Sequence, residues 1–245
     1  MTDSPDPSPE DDPVSQDVAP RSSLHATVLD VVGSEIVAGR LRENDTLNVE
    51  VLRERFGVSR TVIRETLRSL AALGLVRARS KVGTQVNHLS SWTLLNPTII
   101  RWRAAAHYRE QMIELLQVRR GIEATAAGLA AATMTDSDIA RLVELGDRLA
   151  SAAESDDGET FLNADTAFHR LLLEGSGNPV IAQFAEVVTA ALRTRDDAHQ
   201  PLIIDTTPLG LALHAQLADA IASHNVELAE RLATAIADTT LSEFT

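Results

Sequence analysis

Hydrophobic positions in the first third of the chain recur with helical periodicity. Their spacing of three to four residues predicts helices over residues 24–40, 49–56 and 60–73. Asn48 and Ser59 precede the last two of these helices, and such side chains commonly cap helix N-termini. A glycine lies near the end of each helix, as expected where helices stop. The pattern therefore predicts three consecutive helices.

Two short segments with strand character, residues 75–78 and 83–86, follow the third helix and flank a turn. This arrangement predicts a β-hairpin. Residues 56–59, Phe-Gly-Val-Ser, have the length and the glycine expected between the crossing helices of a helix-turn-helix motif. The order of elements predicts a winged helix-turn-helix domain over residues 23–87.

The rest of the chain shows helical periodicity without a credible strand. After a linker at residues 88–97, helices are predicted over residues 98–106, 108–133, 136–154, 159–174, 179–197, 208–223 and 226–242. Short connections between amphipathic helices indicate a compact antiparallel bundle over residues 98–245. The predicted fold class is mainly α, with an N-terminal winged helix-turn-helix domain and a C-terminal antiparallel all-helical bundle.

Charge divides the chain into three parts. Residues 1–22 hold six acids, one arginine and five of the nine prolines, which predicts a disordered acidic tail. Residues 23–87 hold ten basic and seven acidic residues, although the whole chain of 245 residues carries a net charge of −13. A basic segment within an acidic chain favours binding to a polyanion such as double-stranded DNA.

Absences in the composition narrow the chemistry. The chain has no cysteine, which excludes disulfides, thiolate metal ligands and cysteine nucleophiles. No apolar run approaches the ~20 residues of a membrane span, and the acidic N-terminus does not resemble a signal peptide. These features predict a cytoplasmic protein with no membrane partner.

The third predicted helix carries polar side chains opposite its apolar stripe, namely Arg60, Thr61, Arg64 and Arg68. The first turn of a recognition helix presents its side chains to the base edges of DNA. The same residues also fit a solvated, arginine-rich face. The helix and turn before them and the hairpin after them favour the recognition helix.

Candidate metal ligands lie in the predicted bundle. Asp165 and His169 are four residues apart and so share one helical face, and His214 lies on the apolar side of a later helix. One aspartate and two histidines suit a divalent metal such as Zn²⁺, Ni²⁺ or Mn²⁺. The spacing also fits an ordinary Asp–His pair and an unrelated histidine. Arg119 likewise fits either an anion site or an ion pair with Glu123.

A close resemblance to the GntR superfamily of bacterial repressors is carried by residues 56–76, FGVSRTVIRETLRSLAALGLV. Residues 81–86 and 92–102 resemble its FadR-type branch, and within it the regulators of sugar-acid catabolism. The resemblance covers residues 24–241 and implies a homodimer on a pseudo-palindromic operator. The resemblance implies that Ser59, Arg60, Thr61 and Arg64, at the start of the recognition helix, contact DNA, and that Lys81, Val82 and Gly83 bring the wing to the minor groove or backbone.

One departure from the family concerns the second helix. Many relatives have an arginine early in this helix, where the chain has Glu50. A carboxylate that faced a phosphate would repel it. We therefore expect this phosphate contact to be absent.

The bundle resembles the FCD effector domain of FadR-type regulators, which carries an Asp-x3-His motif followed by further histidines. Asp165, His169 and His214 match these positions, which implies a divalent metal, with zinc favoured. Many members have a fourth ligand, a histidine in the last helix, whereas residues 234–237, Thr-Ala-Ile-Ala, contain none. Arg119 matches the family's Arg-x2-Leu-Glu motif, which implies that it binds a small carboxylic acid effector such as a sugar acid.

The missing fourth histidine leaves two interpretations. In the first, three protein ligands hold the metal and leave coordination positions open for water or effector. In the second, metal binding is weakened. His199 and His224 are less suitable replacements, because they lie in a predicted loop and near a helix junction.

Two other classes of function fit parts of the pattern. Open metal sites also occur in hydrolases, but the sequence has no His-Glu-x2-His, no Gly-x-Ser-x-Gly and no phosphate-binding glycine loop. The missing fourth histidine also fits a metal-independent helical scaffold that binds DNA without small-molecule control. The sequence therefore predicts a DNA-binding repressor controlled by a small carboxylic acid, and not an enzyme.

Overall fold

The computed structural model describes residues 21–197 and 207–244, and its N-terminal part contains three helices and a three-stranded sheet. The helices are α1 (Arg21–Val37), α2 (Val49–Phe56) and α3 (Arg60–Ala72). The strands are β1 (Thr46–Leu47), β2 (Val76–Arg79) and β3 (Gly83–Val86). Helix α1 begins and ends three residues before the predicted limits, and the other two helices agree with prediction to one residue.

Local sequence explains the turn between α2 and α3. Asn48 Oδ1 accepts a hydrogen bond from the Glu50 amide at 2.8 Å, and Ser59 Oγ accepts one from the Val62 amide at 3.3 Å. Gly57 has a φ of 64°, a left-handed conformation that ends α2 and suits glycine. Helix α3 buries its apolar stripe and packs against α1. The predicted helix-turn-helix is confirmed.

The sheet has the order β1-β3-β2 and is antiparallel throughout. Val76 of β2 lies opposite Val86 of β3, which confirms the predicted hairpin with its first strand shifted by one residue. Thr46 of β1 lies opposite Gln85. The sequence pattern does not predict β1, because two residues are too few to show an alternation of apolar and polar positions.

The second part of the structure is helical. Its helices are α4 (Pro97–Thr133), α5 (Asp136–Glu154), α6 (Gly158–Glu174), α7 (Pro179–Ala182), α8 (Phe184–Asp197), α9 (Pro208–Ala222) and α10 (Val226–Leu241). The prediction of helices is confirmed, although the predicted helix 179–197 is divided at Gln183. Helix α4 packs along α10 and α8, and α6 packs against α5 and α8. None of the described helices is both long and apolar enough to cross a membrane.

Helix α4 contributes to the hydrophobic core of the winged part and to that of the helical part. Its first turns bury Ile99 and Trp102 in the core of the N-terminal part. Gly33 of α1 lies against the Trp102 ring, where a Cβ atom would come within 2.2 Å of a ring carbon. A larger residue at position 33 would therefore separate the two helices. Residues 98–106, predicted as the first helix of the bundle, thus pack with the winged domain. The predicted domain limits stay a prediction.

The backbone of α4 leaves the helical conformation at His107, where φ is −141° and ψ is 44°. This bend lies between the two predicted helices 98–106 and 108–133. Gln111 Nε2 donates to the Ile100 carbonyl at 2.9 Å, and Arg103 Nη1 lies 2.7 Å from Glu114 Oε2. Two side-chain contacts therefore connect the segments on either side of the bend.

Candidate DNA-binding face and candidate metal centre

Every residue that the sequence predicts to contact DNA is exposed in the structure. On and before α3 the exposed residues are Ser59, Arg60, Thr61, Arg64 and Arg68, and at the tip of the hairpin they are Lys81, Val82 and Gly83. Lys81 has a φ of 64°. Their exposure is what DNA contact requires, while the contact itself stays a prediction.

Two arginines on this face of α3 pair with glutamates. Oε1 of Glu50 on α2 lies 2.8 Å from Arg60 Nε, and its Oε2 accepts a hydrogen bond from Arg53 Nε at 3.1 Å. Arg68 Nη1 lies 2.6 Å from Glu65 Oε1. Hydrogen bonding to Arg60 lowers the pKa of Glu50 and favours its anionic form. The residue that departs from the family pattern thus contacts a predicted base-reading arginine.

Five buried polar side chains meet among three helices of the bundle. Arg119 and Glu123 belong to α4, Asp165 and His169 to α6, and His214 to α9. Their relative exposure does not exceed 5%. Residues four apart share a helical face, so α4 and α6 each present one pair. The structure brings the three predicted metal ligands together with Arg119.

The three candidate ligand atoms form a nearly equilateral triangle. Asp165 Oδ1 lies 3.5 Å from both His169 Nε2 and His214 Nε2, and the two nitrogens are 3.4 Å apart. With metal–ligand bonds of about 2.1 Å, a tetrahedral ion separates its ligand atoms by about 3.4 Å. The triangle therefore has the dimensions of one face of a tetrahedral Zn²⁺ site.

The other ring nitrogens of both histidines face acceptor atoms. His214 Nδ1 donates to the Gly210 carbonyl at 2.8 Å, and His169 Nδ1 lies 3.2 Å from Glu123 Oε2. The Gly210 carbonyl orients Nε2 of His214 toward a metal, whereas Nδ1 of His169 lies close to Glu123 without a hydrogen bond among the described residues. Buried Asp165 Oδ1 has no hydrogen-bond partner among the described residues. An unsatisfied carboxylate oxygen and two imidazoles fit a divalent transition metal.

Burial and charge oppose each other in this cluster. Burial alone would raise the pKa of Glu123, but Arg119 and His169 outweigh it and lower this pKa to about 2. Burial also raises the pKa of Asp165, yet the His169 charge holds it well below its usual range. Burial lowers the pKa of His169, whereas Glu123 and Asp165 raise it to about 9. Without a metal, two cations therefore balance two carboxylates.

Both sequence interpretations of Arg119 have a counterpart in the structure. Arg119 Nε lies 2.9 Å from Glu123 Oε1, which is the ion pair. Arg119 Nη2 also lies 3.1 Å from His169 Nε2, at the edge of the metal triangle. Glu123 was absent from the predicted site, although its spacing of four residues from Arg119 was the available signal.

The structure places no fourth ligand in the cluster, within the residues it describes. Ile236, from the stretch where many relatives have a histidine, is buried in the main hydrophobic core. His224 has a φ of 55° and its Nδ1 donates to the Ala131 carbonyl at 2.8 Å, outside the cluster. His199 lies outside the described residues.

Comparison with protein families matches both parts of the chain. Residues 24–86 match the family described as bacterial regulatory proteins, gntR family. Residues 114–239 match the FCD domain. The two matches fall on the winged part and on the helical part, and the second includes all five residues of the buried cluster.

Related sequences extend over most of the chain. The HTH-type transcriptional regulator YieP of Escherichia coli (strain K12) is 30% identical over 208 residues, covering 84% of this chain and 89% of the relative. The galactonate operon transcriptional repressor of the same strain is 29% identical over 219 residues, covering 85% and 92%. These coverages include both parts of the chain.

Solved structures show the same fold. The Lar protein, which controls the expression of the Listeria monocytogenes agr system, aligns with a TM-score of 0.62 at 17% identity. The alignment covers 90% of this chain and 96% of that one. A GntR protein of Streptococcus agalactiae gives a TM-score of 0.50 at 20% identity, covering 89% and 99%. At these identities the likeness concerns the fold alone.

Proposed function

The chain belongs to the gntR family of bacterial regulatory proteins and carries an FCD domain, and from this membership we propose that it is a repressor controlled by a small carboxylic acid. It is a transcriptional regulator and not an enzyme. Relatives include a galactonate operon repressor and a probable D-xylose utilization operon repressor. Control by a sugar acid at the buried cluster is the specific content of the proposal.

One observation carries this proposal. Asp165 Oδ1 and the Nε2 atoms of His169 and His214 converge at 3.4–3.5 Å from one another, with the oxygen otherwise unsatisfied. A divalent ion held there would supply open coordination positions for the oxygens of a hydroxy acid. Arg119, at the edge of the triangle, donates to both oxygens of Glu123 through Nε and Nη2, and it would have to share or exchange this carboxylate to bind that of an effector.

Charge balance supports a monocarboxylic acid. In the metal-free cluster, Arg119 and protonated His169 offset Glu123 and Asp165. A divalent ion would require neutral His169, so that the buried cluster would carry one net positive charge. An uncompensated buried charge is costly, and a monoanionic ligand would cancel it.

Space in the structure supports a coupling between ligand and DNA. The cavity beside Arg119, between α4 and α8, has a volume of about 10 Å³, whereas small-molecule sites commonly need hundreds of Å³. Binding of a sugar acid beside Arg119 would therefore require the helices that pack there to move apart. The other end of α4 packs against the winged domain through Trp102. A ligand that binds only the arrangement with these helices apart would shift the population of positions that the winged domain adopts.

DNA recognition completes the proposal. The exposed side chains of α3 would contact base edges, and the wing residues would contact the backbone or minor groove. A homodimer would place two such units on a pseudo-palindromic operator, because a two-fold protein matches two-fold DNA. The net charge of −13 makes the local arginine face, rather than the whole molecule, the attractive surface for DNA.

Calorimetry tests the coupling of metal and acid. We would titrate D-galactonate, with uncharged D-galactose as a matched control, into zinc-loaded and chelated protein. Galactonate should bind only the zinc-loaded sample and should release DNA from it, while galactose should do neither. A broader set of aldonic acids would follow if galactonate were too large or too small. Equal affinities of every binding acid for the loaded and chelated samples would contradict the metal-dependent model.

A metal-independent scaffold is the second candidate function. The balanced charges of the cluster and the absence of a fourth ligand among the described residues favour it. Elemental analysis after zinc loading distinguishes the two candidates. Stoichiometric zinc that His214→Ala abolishes supports the effector model, whereas DNA binding without retained metal or any acid response supports the scaffold.

A further inference from the structure

The contact between Arg60 and Glu50 joins the two helices of the helix-turn-helix on its exposed side. Arg60 is the first residue of α3, and Glu50 lies in the first turn of α2. Asn48 caps the Glu50 amide, and Arg53 Nε holds the second carboxylate oxygen at 3.1 Å. The first oxygen holds Arg60 Nε at 2.8 Å. Glu50 is therefore anchored on its own helix while it contacts the next one.

The donor that Glu50 occupies matters for base recognition. A guanidinium can present its two terminal amino groups to O6 and N7 of a guanine, which are adjacent acceptors in the major groove. Glu50 meets Arg60 at its Nε, so within the described part of the chain both terminal amino groups of Arg60 are left for such a contact. Arg60 is 68% exposed, so water or DNA can reach them.

The second ion pair on α3 has the opposite geometry. Glu65 Oε1 lies 2.6 Å from Nη1 of Arg68, which is one of the terminal amino groups. That contact occupies the edge of Arg68 that would face a guanine. The two pairs contain the same residue types on one exposed face, but only the pair at the start of α3 keeps the base-reading edge available.

The charge of Glu50 acts on DNA of every sequence. A carboxylate close to the DNA surface repels the phosphates of specific and non-specific DNA alike. Since specificity is a difference between two affinities, an equal loss in both leaves it unchanged. Discrimination by Glu50 therefore has to come from how it positions Arg60.

We propose that Glu50 is a specificity-determining residue, which holds Arg60 by Nε so that its terminal amino groups read one guanine in each half-site. The inference rests on the proposed DNA-binding role of α3. It assigns to Glu50 an effect on sequence choice, beyond the loss of a phosphate contact.

The experiment compares specific with non-specific DNA. Sequences enriched from a random pool by the full-length wild-type protein would serve as specific DNA, and shuffled versions as non-specific DNA. Glu50→Gln should lower the ratio of specific to non-specific affinity about tenfold and remove the preference for one guanine per half-site. Glu54→Gln, a matched loss of charge on α2 beside Arg53, should leave the ratio unchanged. Unaltered thermal unfolding of both variants verifies the fold.

A double-mutant cycle tests whether Glu50 acts through Arg60. In an Arg60→Ala background, Glu50→Gln should no longer change the affinity ratio, because the arginine that it positions is absent. An equal effect of Glu50→Gln with and without Arg60 would overturn the inference, as would equal effects of Glu50→Gln and Glu54→Gln in the wild-type background. Failure of the wild-type protein to enrich any sequence would instead overturn the proposed DNA-binding role itself.

Discussion

Two arginine–glutamate pairs in this molecule have the same chemistry in opposite surroundings. The side chains of Arg60 and Glu50 are 68% and 44% exposed, whereas those of Arg119 and Glu123 are 5% and 1% exposed. Water screens the first pair, so its contribution to stability is small and its donors remain accessible to DNA. Burial removes that screening, so each charge of the second pair depends on the other. Exposure therefore separates the pair proposed to recognise DNA from the pair proposed to lie at the effector site.

The largest expected effect comes from Glu123→Gln. This change leaves the buried charge of Arg119 without its carboxylate, and breaking a buried pair costs about 3 kcal/mol of unfolding free energy. Urea unfolding of chelated protein measures the loss. Glu50→Gln, the exposed counterpart, should leave the unfolding midpoint unchanged. Similar losses in the two variants would contradict the distinction by exposure.

The next largest effect concerns the metal. Zinc at one hundred times its dissociation constant should stabilise the folded chain by about 2.7 kcal/mol, because it binds the folded state preferentially. His214→Ala should abolish this shift. His224→Asn is the matched control, because asparagine tolerates the positive φ of 55° and position 224 lies outside the cluster. A zinc shift retained in His214→Ala would place the metal elsewhere.

Arginine substitutions on α3 test the exposed region. Arg60→Ala and Arg64→Ala should each weaken operator binding by about 1–3 kcal/mol without lowering the unfolding temperature, since both side chains are exposed. Affinity for the selected operator at fixed salt is the measurement. Unchanged affinity in both variants would remove the assignment of α3 as the recognition helix.

The smallest expected effect belongs to the wing. Lys81→Asn should weaken binding to all DNA sequences alike and reduce the salt dependence of binding by about one counterion. Asparagine suits the backbone φ of 64° at this position, so the hairpin should keep its shape. Binding measured across a salt series checks the slope. A sequence-dependent loss would indicate that Lys81 reads bases.

Much of the fold could be predicted because its signals are local. Capping by Asn48 and Ser59 and the apolar spacing of α3 involve residues within a few positions of each other. The bend at His107 coincides with the boundary predicted between helices 98–106 and 108–133. The sequence could not show that the segment before the bend packs with the winged domain, because Trp102 meets Gly33 across 69 positions of the chain.

The candidate site divides in the same way. Sequence spacing and family resemblance identified Asp165, His169 and His214 as a set, and the i, i+4 rule already placed the first two on one face. Their 3.4–3.5 Å triangle, and the position of Glu123 behind His169, depend on how α4, α6 and α9 pack. Helical periodicity specifies which side of a helix is buried, but not which side chain of another helix it meets.

Glu50 shows the limit most clearly. Its sequence position indicated a lost phosphate contact, because a local pattern gives only the residue type at that place. Its engagement of Arg60 arises from the crossing of α2 and α3, which brings together side chains ten positions apart on different helices. Capping and periodicity are short-range and can be read from the chain, whereas partners on separate elements are selected by packing of the whole domain.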